Sequence, residues 1–293
     1  MRSAPYVLIA PFVVTFAVFT VTPIIVALVS SLFRVSRSGL GFDDGPTVRF
    51  AGLENFAMAL GDREFLGGFG RVFLFGIVQV PIMLGMSLVF ALIIDSALVR
   101  WKSGVQVAMF LPFAVPGVVA ALLWGFFYQP NVSPVVQLLS SIGIHADFLA
   151  PGTVLWSIAN VTTWSYLGFN MIVLYSALQA IPRELIEAAR IDGASGRRIG
   201  LSIKLPLIAP SLFVVLLFSI IGTVQLFSEP TVIQGITSNI NSKYTPAMAI
   251  FATTAAGNDL NLGSAMAVIV GIVTTVLSVI ASRVNRRVER SFS

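Results

Sequence analysis

Cysteine is absent from the 293 residues, and histidine occurs once, at position 145. The first absence removes disulfides, thiolate nucleophiles and thiolate metal sites. The second removes any histidine-based metal or catalytic centre, since a lone loop histidine reads as a solvated side chain. Charge is scarce as well: 11% of residues, where a soluble domain carries about 25%. There is no G-x-x-x-x-G-K-[ST] loop, so this chain does not hydrolyse ATP by that chemistry. No catalytic residue and no metal site are assigned. The basic balance, with pI near 10.0, does not mark a nucleic-acid binder. The lysines and arginines are scattered over loops beside apolar runs, which is a topology signal and not a phosphate track.

Apolar residues fill the space that charge leaves, at 56% of the chain, and mean hydropathy is +0.92. Several runs reach the roughly 20 residues that cross a bilayer core. The expected fold is an all-α polytopic membrane protein with six transmembrane helices. The spans are placed at about 5–33, 69–95, 105–128, 152–179, 207–229 and 263–283, in a single membrane domain over 1–293. A cleaved signal peptide competes for the first run. That run is about twice the length of a signal h-region and lacks a clear small-residue cleavage site, so a first span is expected. Residues 34–68 are expected as an extramembrane loop with helical pieces near 53–65 and a turn at Asp43-Asp44-Gly45-Pro46. The 129–151 loop is rich in proline, and 230–262 is polar and rich in Asn.

Charge then sets the orientation. With both termini in the cytoplasm, only six of the 18 basic residues fall outside: Arg34, Arg37, Arg49, Arg63, Arg71 and Lys243. Four of these lie in the longest outer loop, 34–68, where charge constrains topology least. The same orientation puts 183–206 in the cytoplasm. That stretch, RELIEAARIDGASGRRIGLSIKLP, is a polar interval between two apolar runs that reads as folded. Pro182 suits a helix start, Gly193 a left-handed helix end and Ser195 the cap of a second short helix. Ala188 and Ala189 add little bulk, so another backbone could approach that face, and Glu187 and Asp192 supply orienting charge.

Glu187-Ala188-Ala189, three residues, Gly193, nine residues, Ile203, one residue and Leu205-Pro206 resemble the "EAA" loop of binding-protein-dependent ABC importer permeases. The flanking Leu178–Pro182 and Asp192-Gly193-Ala194 are similar to the carbohydrate-uptake branch. The resemblance is sharp over 178–210 and diffuse elsewhere. It implies the type I permease fold, with 183–206 as a coupling helix that docks on a cytoplasmic ATPase. The coupling residues it implies are Glu187, Ala188, Ala189, Asp192, Gly193 and Pro206. The implied partners are a second homologous permease, two ATPase copies and an extracytoplasmic solute-binding protein. This chain would hold no cofactor, ATP and Mg being bound by the ATPase. The implied location is a bacterial-type inner membrane.

Polar groups within spans face protein or a watery cavity, because lipid cannot satisfy them. At about 100° per residue, Asn160, Thr163, Trp164 and Asn170 share an arc of the fourth span. An amide and an indole on one face suit a sugar; the same residues also fit helix–helix glue and an interfacial anchor. Gln225 and Glu229 lie four apart on the fifth span and, in this orientation, in the same outer half as Asn160. Glu229 also fits a solvated end charge. These six are the candidate solute residues. No arginine or lysine accompanies them, which favours a neutral sugar over a phosphorylated solute. An amino-acid or glycerol-phosphate permease stays open as a neighbouring class. An ion-coupled secondary transporter would need ionisable groups inside the spans, and their interiors have essentially none.

Overall fold

The computed structural model describes residues 4–36, 47–96 and 99–292. Arg2 and the 43–46 turn lie outside them. Along the chain come helices α1 (Ala4–Phe16) and α2 (Thr22–Ser31), joined by a π stretch, Ala17–Val21. Strands β1 (Phe33–Ser36) and β2 (Thr47–Phe50) precede α3 (Glu54–Gly61) and α4 (Arg63–Asp95). Then come α5 (Lys102–Phe110), α6 (Gly117–Tyr128), α7 (Pro134–Ser141) and α8 (Val154–Gln179). The polar interval holds α9 (Arg183–Ile191), α10 (Gly196–Arg198), a π stretch Ile199–Lys204 and α11 (Leu205–Leu207). Last are α12 (Ala209–Val224), α13 (Ser228–Gln234), α14 (Pro246–Phe251) and α15 (Leu260–Phe292).

Among the described residues, four helical segments are long and apolar enough to cross a membrane: Leu8–Ser31, Arg63–Asp95, Ala209–Gln234 and Leu260–Asn285. The third expected span, 105–128, is instead two helices meeting at 95°. Pro112 and Pro116 explain the break. Each lacks an N–H, and Pro116 sits in extended geometry at the start of α6. The fourth expected span is the 26-residue α8, which is less apolar than the other four segments. Three of its polar residues, Ser157, Ser165 and Asn170, are among the twelve residues of this helix that neighbouring protein buries. Two further expectations are corrected. The 34–68 loop contains a β-hairpin, and the 230–262 stretch contains an apolar helix over Pro246–Ala256.

The chain forms two compact units. One takes in the residues up to Phe69 with Ser242–Val273; the other takes in Gly70–Asn241 with the residues from Thr274 on. In the first unit, Pro23 cannot donate to the helix ladder, and Ala17 takes a wider-spaced partner. Its carbonyl receives the Thr22 N–H and, at 3.0 Å, the Thr22 hydroxyl. Register places Arg34 opposite Arg49 across the hairpin. Like charges there would repel, but Glu54 bridges them, Oε1 to Arg34 at 2.9 Å and Oε2 to Arg49 at 2.6 Å. The Arg49 hydrogen bond is the main cause that holds the Glu54 carboxyl below its ordinary range. Asn55, fully buried, donates to the Ser31 and Phe33 carbonyls, both at 2.8 Å, and ties α2 to α3. Ala59, Phe65, Ala249 and Met266 form this unit's core.

Asp62 caps α4: its Oδ1 accepts from the Glu64 and Phe65 N–H groups, at 2.9 and 3.2 Å. Lys243 donates to its Oδ2 at 2.7 Å. Burial alone would raise the Asp62 carboxyl, but the Lys243 hydrogen bond and the two backbone N–H groups outweigh it and lower it from 3.8.

The second unit packs α4, α8 and α12 around Met83, Leu84, Met171, Leu174 and Val215. Ser87 Oγ donates to the Leu167 carbonyl at 2.9 Å. Close by, Gly168 sits against α5, where an added Cβ would overlap the Met109 carbonyl. Backbone therefore touches backbone at that crossing, and only glycine permits it.

Two outcomes are expected. Gly168→Leu should abolish monodisperse extraction in mild detergent, whereas Gly85→Ala, where a Cβ meets nothing within 4 Å, should extract like wild type. A lowered carboxyl stabilises the fold above its unfolded value and ceases to do so as pH falls through its folded value. Asp62→Asn should therefore lower the melting temperature at pH 7, and the deficit should vanish well below pH 3.8.

Candidate functional site

Two features of the second unit can carry function: the hairpin over 183–206 and a cavity between α4, α6, α8, α12 and α13. The hairpin begins after Pro182, which sits just outside the helix in extended geometry and not in its first turn. α9 has no buried residue, though its sequence is strongly two-faced. Gly193 takes the expected left-handed conformation at φ +78. Its N–H donates to the Arg190 carbonyl at 3.0 Å, and the Ala194 N–H donates to Ala189 at 2.9 Å. Ser195 Oγ accepts from the Arg198 N–H at 3.4 Å and starts the second arm as expected. That arm continues through its π stretch, so Pro206 lies inside α11 and does not open the next run. Glu187, Ala188, Asp192 and Gly193 are exposed, while Ala189 and Pro206 are half-buried. Leu185 and Ile191 add exposed apolar surface, 48% and 87% accessible. A short polar element that shows its apolar side chains is made to be covered by something else.

The cavity holds about 510 Å³. The bend between α5 and α6 contributes Phe113 and Gly117 to its wall. The break between α12 and α13 contributes Gln225, Phe227 and Ser228. From α4 come Gln79 and Met83, and from α8 come Thr162, Tyr166, Phe169 and Asn170. Glu229 completes it. The acid is buried, 8% accessible, and an added Cβ on Gly117 would come within 3.2 Å of its Oε1. Among the described lining residues there is no lysine or arginine. The wall thus offers amides, hydroxyls, one carboxylate and flat aromatic faces.

A family of transport proteins described as "Binding-protein-dependent transport system inner membrane component" matches residues 56–293. The chain belongs to this family. It is similar to the sn-glycerol-3-phosphate transport system permease protein UgpA of Agrobacterium fabrum, with 30% identity over 282 residues, 96% of this chain and 93% of the relative. The UgpA of Escherichia coli O157:H7 is 32% identical over 287 residues, 96% of this chain and 94% of that protein. The fold is shared with a chain of a bacterial alginate ABC transporter solved in complex with an alginate pentasaccharide-bound periplasmic protein. The TM-score is 0.82 at 22% identity, covering 98% of this chain and 96% of that one. A chain of the MetNI methionine ABC transporter, in an inward-facing conformation, matches at TM-score 0.55 and 16% identity, covering 80% of this chain. The chain is therefore the membrane-embedded permease component of an ABC importer, not its ATPase.

The permease divides the six candidate solute residues. Asn170, Gln225 and Glu229 line the cavity. Asn160, Thr163 and Trp164 do not. Asn160 Nδ2 donates to the Tyr128 hydroxyl at 2.9 Å, and Tyr128 donates to the Ser157 carbonyl at 3.0 Å, a chain that ties α6 to α8. Thr163 accepts from Gln79 Nε2 at 3.2 Å, and Trp164 packs edge-on against Trp124. These three hold helices together. The cavity stripe is instead Thr162, Tyr166, Phe169 and Asn170, rotated by about 100° from the expected arc. Gln225 and Glu229 do not share a helical face either, because the chain leaves the helix between α12 and α13. Glu229 is no solvated end charge. Gln79 and Phe113 were missed: one lies mid-span in α4, the other before a proline bend, and neither position stands out by spacing.

This separation predicts a contrast. Asn160→Ala should lower the melting temperature by the equivalent of about 0.5–1.5 kcal/mol, the net worth of one hydrogen bond from an exposed side chain, and leave the solute preference of uptake unchanged. Tyr166→Ala should change uptake while lowering the melting temperature by at most about a few degrees, measured on the same purified complex.

Proposed function

We propose that this permease moves a neutral sugar inward by alternating access, in a bacterial-type inner membrane. The observation that carries the reading is the composition of the cavity wall. Hydroxyl-rich solutes are held by amides, which donate to and accept from vicinal hydroxyls, and by carboxylates, which accept from them, while aromatic faces cover the C–H side of the ring. Phe113, Phe169 and Phe227 supply the faces, and Gln79, Asn170, Gln225 and Glu229 the polar groups. A phosphate or uronate would meet Glu229 with no lysine or arginine on the wall to offset it. The named relatives give the second reading, an anionic solute such as sn-glycerol-3-phosphate. It would need cations from outside this cavity.

The assembly on this reading contains a second, homologous permease, two ATPase copies holding ATP and Mg, and an extracytoplasmic solute-binding protein. The chain is one permease domain that crosses six times, counting the bent α5–α6 pair as one crossing and α8 as another, with both termini in the cytoplasm. The hairpin 183–206 is the ATPase dock, through Glu187, Ala188, Ala189, Asp192, Gly193 and the Pro206 hinge. Its bare first arm and its exposed Leu185 and Ile191 support that role. Lids and docks work only through differential contacts in two states, and an element with no buried residue is free to make them.

Two measurements test this. In proteoliposomes holding the complete importer, neutral sugars should compete for uptake and sugar phosphates should not. Glu229→Gln should keep a neutral solute within about tenfold of wild type, and Glu229→Ala should lose more, since the amide still hydrogen-bonds hydroxyls. Competition by phosphates alone would overturn the neutral-sugar reading. Glu187→Lys should lose the co-purifying ATPase while the permease stays inserted; full retention would remove the docking role.

A further inference from the structure

Asp95 is the last residue of α4, and its side chain is only 10% exposed. Its carboxylate meets two other elements. Oδ2 pairs with Lys204 Nζ, at the end of the hairpin's π stretch. Oδ1 accepts from Gln179 Nε2 at 2.6 Å, and Gln179 is the last residue of α8. A third element joins through the backbone, where Lys102 Nζ, on the first residue of α5, donates to the Asp95 carbonyl at 3.2 Å. The ends of α4, α8 and α5 therefore converge with the hairpin on one residue. This cluster lines a second cavity of about 910 Å³, whose wall also carries Arg183, Glu187, Arg190 and Arg197.

Two facts give the cluster its meaning. Among the described residues, the Lys204–Asp95 pair is the one side-chain hydrogen bond or ion pair that joins 183–206 to the rest of the permease. The helices that end at Asp95 and Gln179 are also the helices that line the solute cavity. Gln79 and Met83 lie on α4, and Tyr166 and Asn170 on α8. At about 1.5 Å per residue, these groups stand roughly 14–24 Å up the same two rods. Apolar burial also holds the hairpin's second arm, through Ile199, but it is non-directional. A half-buried ion pair with a second hydrogen bond on the same carboxylate fixes direction.

We propose that Asp95 is a positioning residue for coupling: its carboxylate fastens the hairpin's second arm to α4 and α8, so that a displacement of the hairpin reaches the walls of the solute cavity. The proposal rests on the hairpin being the ATPase dock, and it adds where the motion enters the membrane helices. Without the Asp95 charge, Lys204 faces Lys102 across the same cavity, and the arm loses its anchor while its first arm stays free to bind the ATPase. Asp95 is thus expected to govern the efficiency of transport and not the assembly of the complex.

The test uses the complete importer in proteoliposomes and reads ATP hydrolysed per solute imported. Asp95→Asn and Lys204→Met should each retain the ATPase subunits and their hydrolysis, while the ATP-to-solute ratio rises by about fivefold or more. The double variant should be no worse than the worse single one, as for two groups acting through one contact. The exchange Asp95→Lys with Lys204→Asp should restore part of the ratio, Gln179 turning its amide to suit. A wild-type ratio in both single variants, or a double variant whose ratio is the product of two independent losses, overturns the proposal. Should the single variants fail to assemble, Asp95→Cys with Lys204→Cys decides, because the chain has no other cysteine. Bridging the two thiols with a short bis-methanethiosulfonate should bring the ratio back towards wild type, and no recovery overturns the proposal. Failure of the docking reading itself looks different: Glu187→Lys would then keep its ATPase, whatever Asp95 does.

Discussion

A backbone amide inside a bilayer has no water to bond to, so every N–H and C=O must find its partner within the protein. This constraint governs where the permease can leave the α-helix. It does so at Val115–Pro116, between α5 and α6, and at Leu226–Phe227, between α12 and α13. Both departures lie at the wall of the 510 Å³ cavity. Irregular backbone at that depth is tolerated where it faces a polar space instead of acyl chains. The same bends that free backbone groups also aim Phe113 and Glu229 inward. The π stretch at Ala17–Val21 is the contrasting case, since it lies on an apolar, exposed rod. There Thr22 supplies both a backbone and a hydroxyl donor to the Ala17 carbonyl.

Much of the architecture was legible because hydropathy is a strong signal. Long apolar runs announced four of the crossings, and charge scarcity announced the membrane. The hairpin was legible for another reason. Gly193 and Ser195 each do one local job, a left-handed helix end and a cap, and local jobs do not depend on the rest of the fold. The cavity face of α8 was harder to read. That helix carries polar side chains on more than one side, because protein surrounds most of it, so periodicity could not say which side faced the cavity. Glu229 illustrates the same limit. An acid next to a proline at the edge of an apolar run reads as a helix end, yet a break three residues earlier folds it inward. The β1–β2 hairpin escaped because four-residue strands in a polar loop leave no period to count.

Charge is used sparingly, and its placement separates three tasks. In the first unit, Glu54 sits between two arginines and Asp62 between a lysine and two backbone N–H groups, so both carboxylates are offset and both stabilise local structure. Asp95 is offset by Lys204 but shared with Gln179, so it binds separate elements to each other. Glu229 alone among these faces a cavity without a lysine or arginine on the wall. On the proposed function, that carboxylate is the one left to meet the solute.

The first arm of the hairpin, Arg183–Ile191, buries none of its side chains in this chain. Apart from the half-buried Ile186 and Ala189, the permease's own packing therefore does little to restrain how those nine residues vary. Their identity is answerable to whatever surface they meet, and the arm can drift in step with that surface while the membrane helices stay as they are. On the docking proposal, exchanging this segment between related importers would swap engine compatibility and leave the cargo unchanged, a modular boundary drawn at Pro182 and Gly193.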